Sequence, residues 1–248
     1  MALPDRLNNE PLIDAIFECR FQAEMPMSSV LPGFLVGKLS DIKSVNNLPA
    51  MELPPGLRNS DQNLFFAPLV QIEWKGFNIS VGDRNIVVGC KLPYPRWSKF
   101  KSAILEVLTV LSELNSIKSV QRYSVKYVDL IPSKSFSDQA DLINLDLSIG
   151  KFKQKNEKFY VRLDLSEDGF SHILNVVAGA SVDFENGEHR EGLVIDTDSI
   201  CNSNESESFA EWTKHVAPAL DKLHQSNKSI FFGCLSENGL KLLEPVYA

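Results

Sequence analysis

Ile13-Asp14-Ala15-Ile16-Phe17-Glu18-Cys19-Arg20-Phe21 alternates apolar and polar side chains: Ile13, Ala15, Phe17, Cys19 and Phe21 on one side, Asp14, Glu18 and Arg20 on the other. Successive side chains of a strand point to opposite faces, so this period of two predicts a half-buried β-strand. The rhythm returns over 120–131, where Arg122, Ser124 and Lys126 share one face and Tyr123, Val125 and Tyr127 the other. It returns again over 159–165, where Arg162 and Asp164 alternate with Val161 and Leu163. Strands with one wet face belong to antiparallel sheets, and their apolar face needs a cover. Two stretches supply it. Phe100, Ala103, Ile104, Val107, Leu108, Leu111 and Leu114 recur at steps of three and four, predicting an amphipathic helix over 95–115. Phe209, Trp212, Val216, Leu220 and Leu223 predict a second over 208–225, opened by Ser208 and Glu211 at capping-box spacing and kinked at Pro218. The chain reads as α+β: antiparallel sheets with two long amphipathic helices.

Outward from this frame, Lys75-Gly76 between 69–74 and 77–81 is a hairpin signal, with a further strand over 86–92. A short helix is expected over 34–42, an irregular excursion over the prolines of 48–56, and strands over 142–149, 171–182, 192–200 and 229–235. A short helix over 237–243 ends the chain. Ser133-Lys-Ser-Phe-Ser-Asp-Gln139 is the best seam, dividing an N-terminal α+β half, 1–134, from a C-terminal one, 135–248, packed together as one unit. Each half then runs through strands, a long helix and a strand, which suggests an internal duplication, although no residue-level repeat is visible.

Composition narrows the function classes. Hydrophobic residues make up 44% of 248 and charged residues 23%, enough apolar material for an ordinary core. A net charge of -7 argues against nucleic acid as the main partner, because phosphate neutralisation needs clustered Lys and Arg. The N-terminal residues lack the basic and apolar regions of a signal peptide, and no apolar run approaches the ~20 residues that span a bilayer. Cys19, Cys90, Cys201 and Cys234 are too scattered for a zinc site or redox pair and read as reduced, buried thiols. A cytoplasmic protein without membrane association is the expectation.

Pro11-Leu-Ile-Asp-Ala-Ile-Phe-Glu-Cys-Arg-Phe21, Tyr94-Pro-Arg-Trp-Ser-Lys-Phe100 and Val120-Gln-Arg-Tyr-Ser-Val-Lys-Tyr-Val-Asp-Leu-Ile131, with Leu223-His224, Asn227 and Phe231-Phe232 near the end, resemble a sporadically distributed bacterial family of roughly this length and no established function. The likeness spans essentially the whole chain. Lys126-Tyr127-Val128-Asp129 departs mildly from that family's Arg-Tyr-Ile-Asn type sequence. The resemblance implies no catalytic residues, and the family's scattered distribution implies mobile or defence-associated genes.

Two constellations qualify as sites. Glu18, Arg20, Arg122, Lys126 and Arg162 lie on polar strand faces and, on neighbouring strands, would line a groove for a phosphorylated ligand, an arrangement that resembles triphosphate-binding barrels. The competing reading is solvated faces carrying cross-strand ion pairs, which is preferred. Tyr94, Arg96 and Trp97 combine the residue types of binding hot spots, or else form a rigid lead into the helix with Trp97 stapled onto the core. Asp196 and Asp198, with Asp183 and Glu185 upstream, are a weak metal pattern, and no metal or cofactor is expected. His172, His189, His215 and His224 fit no catalytic arrangement. The preferred function is a non-enzymatic protein-binding or scaffold module of a defence or stress locus, with a protein partner or a homodimer expected; the alternative is a sensor of, or enzyme acting on, a phosphorylated ligand.

Overall fold

The alternating runs do fold as strands, and the amphipathic runs as helices. The computed structural model describes residues 3–154, 157–184, 187–203 and 205–247. In chain order the first elements are β1 (Arg6–Leu7), β2 (Leu12–Ala23), α1 (Leu31–Lys38), β3 (Ile42–Asn47), α2 (Pro55–Ser60), β4 (Val70–Trp74), β5 (Phe77–Val81), β6 (Asn85–Cys90) and α3 (Trp97–Ser112). Then come β7 (Ile117–Pro132), α4 (Phe136–Asp141), β8 (Ser148–Ile149), β9 (Phe152–Lys153), β10 (Tyr160–Glu167), β11 (Phe170–Asp183), β12 (His189–Asn202), α5 (Phe209–Cys234), α6 (Glu237–Leu242) and β13 (Pro245–Val246). Nine strands hydrogen-bond in the order β10-β11-β12-β7-β2-β6-β5-β4-β3, while β1 with β13 and β8 with β9 form separate small ribbons. The chain is an α+β protein. Among the described residues no helix is long and apolar enough to cross a membrane.

The chain divides into two units. The first comprises residues up to Ile13, Lys126–Ser199 and everything from His224 on; the second comprises Asp14–Val125 and Ile200–Leu223. Residues 133–139, where composition suggests a seam, therefore lie inside the first unit. The second unit buries one face of β2, with Phe17, Cys19 and Phe21 fully covered, and the whole apolar stripe of α3 from Phe100 to Leu111. Phe21 meets Phe209 edge-on at 6.4 Å, and Tyr123 lies 5.3 Å from Trp212, so the first turns of α5 complete this core. The first unit packs Leu174, Val176 and Ala178 of β11 and Leu193 and Ile195 of β12 with Ile230 and Phe231 of α5. A buried polar network adds direction: His172 Nδ1 and Ser199 Oγ are hydrogen-bonded at 2.7 Å, and Asn227 Nδ2 donates to Ser199 Oγ and to the Thr197 carbonyl, each at 2.9 Å.

Three expectations are corrected. The run 229–235 is not a strand: α5, 26 residues long with Pro218 inside it, continues to Cys234. Leu223, Asn227, Ile230 and Phe231 keep the helical spacing, and their burial decides the conformation. With helix in that position, the strand expected directly after the second long helix is replaced, and among the described residues the only strand after α5 is the two-residue β13. The run 142–149 is strand only at its end; Leu142 and Ile143 anchor the loop singly, and Asn144 N donates to the Cys234 carbonyl at 2.8 Å. Finally, α1 begins at Leu31 and ends at Lys38, with Pro32 in its first turn where proline is tolerated, and Ile42 starts β3 instead.

Leu108 has no exposed surface on the inner side of α3. Leu108→Ala is expected to lower the free energy of unfolding by about 2–5 kcal/mol in a denaturant titration. A loss below about 0.5 kcal/mol would mean that the side chain does not belong to the core.

Candidate functional site

In the second unit, β2 presents Glu18 and Arg20 on the face opposite its buried Phe17, Cys19 and Phe21. Glu18 is a hub. Its Oε2 accepts from Arg20 Nε at 2.9 Å and from Arg122 Nη2 at 3.3 Å, and its Oε1 accepts from Asn85 Nδ2 at 3.0 Å. Asn85 also donates to the Phe66 carbonyl at 3.0 Å, and the Arg20 guanidinium lies 4.0 Å above the Phe66 ring. Two guanidiniums and an amide thus converge on one carboxylate, with the three charged side chains only 16–25% exposed. Arg122 Nε has no hydrogen-bond partner among the described residues.

In the first unit, Lys126 follows on β7 and reaches Asp196 of β12 at 3.0 Å. The same Asp196 oxygen accepts from Asn175 Nδ2 at 3.5 Å, and Asn175 Oδ1 accepts from the Tyr160 hydroxyl at 2.8 Å. A polar ladder thereby crosses β7, β12, β11 and β10. Arg162 stands opposite Asn175 on β10 but turns to Asp164 of its own strand, 3.0 Å away. Strands β11 and β12 separate it from Lys126, so at ~4.8 Å per strand these two cations do not converge. Glu18, Arg20 and Arg122 come together; Arg162 stands apart from Lys126.

Asp129 is a buried acid that sequence reasoning passed over. It is 6% exposed on β7, and burial, followed by the charges of Glu10 and Asp196, pushes its carboxyl well above the usual carboxylate range. Its only sequence signal is a carboxylate inside the apolar run Tyr127-Val-Asp-Leu-Ile131. Asp183 pairs with His189 at 2.6 Å, and Glu185 lies outside the described residues. Among the described residues no group of three or more His, Cys, Asp or Glu could hold a metal ion.

Tyr94 and Trp97 pack edge-on against the buried Phe100 at 6.3 and 6.1 Å, and Trp97 Nε1 donates to Asp221 Oδ1 at 2.9 Å. Arg96 caps α3 at φ 76°, a backbone region that L-residues rarely adopt. These contacts describe a rigid helix lead-in. All four cysteines are free; Cys19 is fully buried and the others half-buried. Burial pushes the Cys234 thiol up to about 11 and those of Cys19 and Cys90 higher still.

No protein-family model and no curated protein matches the chain.

Two predictions follow from the charged groups. Glu18→Gln leaves two guanidiniums without their shared counter-charge and is expected to destabilise the fold by about 1–3 kcal/mol, whereas Glu18→Gln combined with Arg122→Gln loses less than the two singles summed. Additive losses in denaturant titrations would show that the pair does not interact. For Asp129, the folded-state pKa lies above the unfolded value of ~3.9. Its stabilising contribution is therefore full below about pH 4 and is lost as pH rises through the folded value. Asp129→Asn is expected to raise the melting temperature near pH 8 and to bring no gain near pH 3; an Asn variant no more stable than the natural chain at about pH 8 contradicts the buried, strained carboxylate.

Proposed function

We propose that the chain is a non-enzymatic protein-binding module and that residues 149–152 and 160–163 of the first unit meet the partner. The supporting observation is that the most exposed large apolar side chains fall in two nearby stretches of the first unit, the β8–β9 hairpin and β10. Among the described residues, Ile149 at 73%, Phe152 at 72% and Tyr160 at 62% are the most exposed large apolar side chains, and Leu163 joins them. Ile149 and Phe152 stand opposite each other in the β8–β9 hairpin, whose turn uses Gly150 at φ 59°. Aromatic and aliphatic side chains offered together on a short ribbon are the raw material of an interface core. The charged strand faces, by contrast, spend their charge on one another. The four free thiols suit a reducing cytoplasm, and the family resemblance supports a bacterial defence or stress locus.

One observation favours a different reading, a phosphorylated-ligand sensor or enzyme. Arg20 and Arg122 together outnumber the single charge of Glu18, and Arg122 Nε is without a hydrogen-bond partner among the described residues. The two readings separate cleanly in experiment. A photo-reactive phenylalanine analogue placed at Phe152 is expected to crosslink to protein in cells, and the same analogue at Leu57, itself 48% exposed, is expected not to. Nucleotides and polyphosphate are expected to leave the melting temperature unchanged. Crosslinking no stronger at Phe152 than at Leu57 overturns the protein-binding reading. A thermal shift seen with the natural chain and absent in Arg122→Ala establishes the ligand reading instead.

A further inference from the structure

We propose that β10 is the edge through which two copies of this chain pair, antiparallel and centred on Leu163, so that their sheets run on into one another. This rests on the reading that 149–152 and 160–163 bind protein, and it names the partner as a second copy. β10 ends the nine-strand order and, among the described residues, its backbone is hydrogen-bonded on one side only, to β11. The phase of that ladder decides which backbone groups face outward. Ala178 N donates to the Phe159 carbonyl at 3.0 Å, one step before the paired Tyr160 and Val177, so odd-numbered residues of β10 turn their N–H and C=O toward β11. The amides and carbonyls of Tyr160, Arg162, Asp164 and Ser166 therefore point out of the edge. A second β10 laid antiparallel against it must set even-numbered residues opposite even-numbered ones.

Few registers meet that condition, and side chains choose among them. Centred on Leu163, Arg162 faces Asp164 of the second copy and Asp164 faces its Arg162, making two ion pairs related by the two-fold axis. Val161 then faces Leu165, and the two Leu163 side chains meet on the axis in a non-hydrogen-bonded pair, where opposed side chains approach most closely. Moving the centre to Arg162 opposes two guanidiniums; moving it to Asp164 opposes two carboxylates. Like charges directly opposite destabilise a pair, so both slips are rejected. The face that carries Leu163 also fits. Val161 and Leu165 already pack against the first unit's core, while Leu163 between them is 46% exposed, the exposure a second copy would cover.

Edges of monomeric sheets are usually blunted by proline or by a net charge that repels an incoming strand. β10 has no proline from Tyr160 to Glu167, and Arg162 beside Asp164 at 3.0 Å makes its centre electrically neutral. Self-pairing of this kind is isologous, with the same surface used twice and the assembly closed at two copies.

The test is the mass of the full chain by sedimentation across a concentration series. The natural chain is expected to pass from single to double mass as concentration rises. Arg162→Asp alone and Asp164→Arg alone each oppose like charges on both sides of the axis and are expected to weaken pairing about tenfold or more. An equimolar mixture of those two variants is expected to regain the double mass, because every carboxylate in the mixed pair again faces a guanidinium. The rescue also shows that both variants are folded. A natural chain of single mass at every concentration overturns the proposal, as does a double mass indifferent to either substitution, or a mixture no heavier than its components. If the natural chain stays single while the analogue at Phe152 still crosslinks to protein, self-pairing fails and the protein-binding reading stands; if neither is seen, both fail.

Discussion

The amide of Asn227, shared between the Thr197 carbonyl and Ser199 Oγ, sets the rotation of α5 over β12. Asn227 is 2% exposed, and leaving such a group unsatisfied costs about 1–3 kcal/mol, so the helix has little freedom to turn away. With that rotation held, Ile230 and Phe231 fall onto Leu174, Val176, Leu193 and Ile195, and His172 bridges Ser199 and Ser226 beneath the same helix. The apolar cover is centred on β11 and β12. At β10 only Val161 and Leu165 share in it, and Leu163 is left in solvent. The exposed edge is thus a consequence of where one helix is pinned.

Charge on the polar strand faces obeys a second constraint. A partly desolvated ion needs a partner, and the partners here come from the protein itself: Arg20 and Arg122 converge on Glu18, and Lys126 on Asp196. An anion would have to compete with Glu18 for both guanidiniums. That competition is why the exposed apolar side chains of Ile149, Phe152 and Leu163 support the proposed binding role better than the charged residues that first attract attention.

Most of the architecture is legible in the amino-acid pattern, because burial of one face imposes a period that the side chains must follow. β2, β7, β10 and α3 are examples, since alternation or a helical stripe leaves little choice in each. Where the pattern misleads, the physics is local. Ser229-Ile-Phe-Phe-Gly-Cys-Leu235 is rich in β-formers, yet Ile230 and Phe231 continue the spacing of Leu220, Leu223 and Asn227, and tertiary burial overrides propensity. Leu142-Ile-Asn-Leu145 carries apolar residues for a strand but finds almost no strand to pair with, only an isolated bridge from Ile143 to Leu235. The candidate residues themselves are readable as polar-face positions. Their partners are not: Asn85 reaches Glu18 and Asp196 reaches Lys126 through a strand order in which β2 lies between β7 and β6. That β10 ends the sheet is likewise a property of the order β10-β11-β12-β7 and of no segment taken alone.

The open edge of β10 is the feature on which the functional reading turns, and residue-resolved amide hydrogen exchange addresses it directly. The amides of Leu163 and Leu165 face β11 and are expected to be protected at every protein concentration. Those of Arg162 and Asp164 face outward; they are expected to exchange quickly in dilute protein and to slow progressively as concentration rises and the edge is covered. Exchange at Arg162 and Asp164 that is fast and independent of concentration would contradict an edge built to be paired.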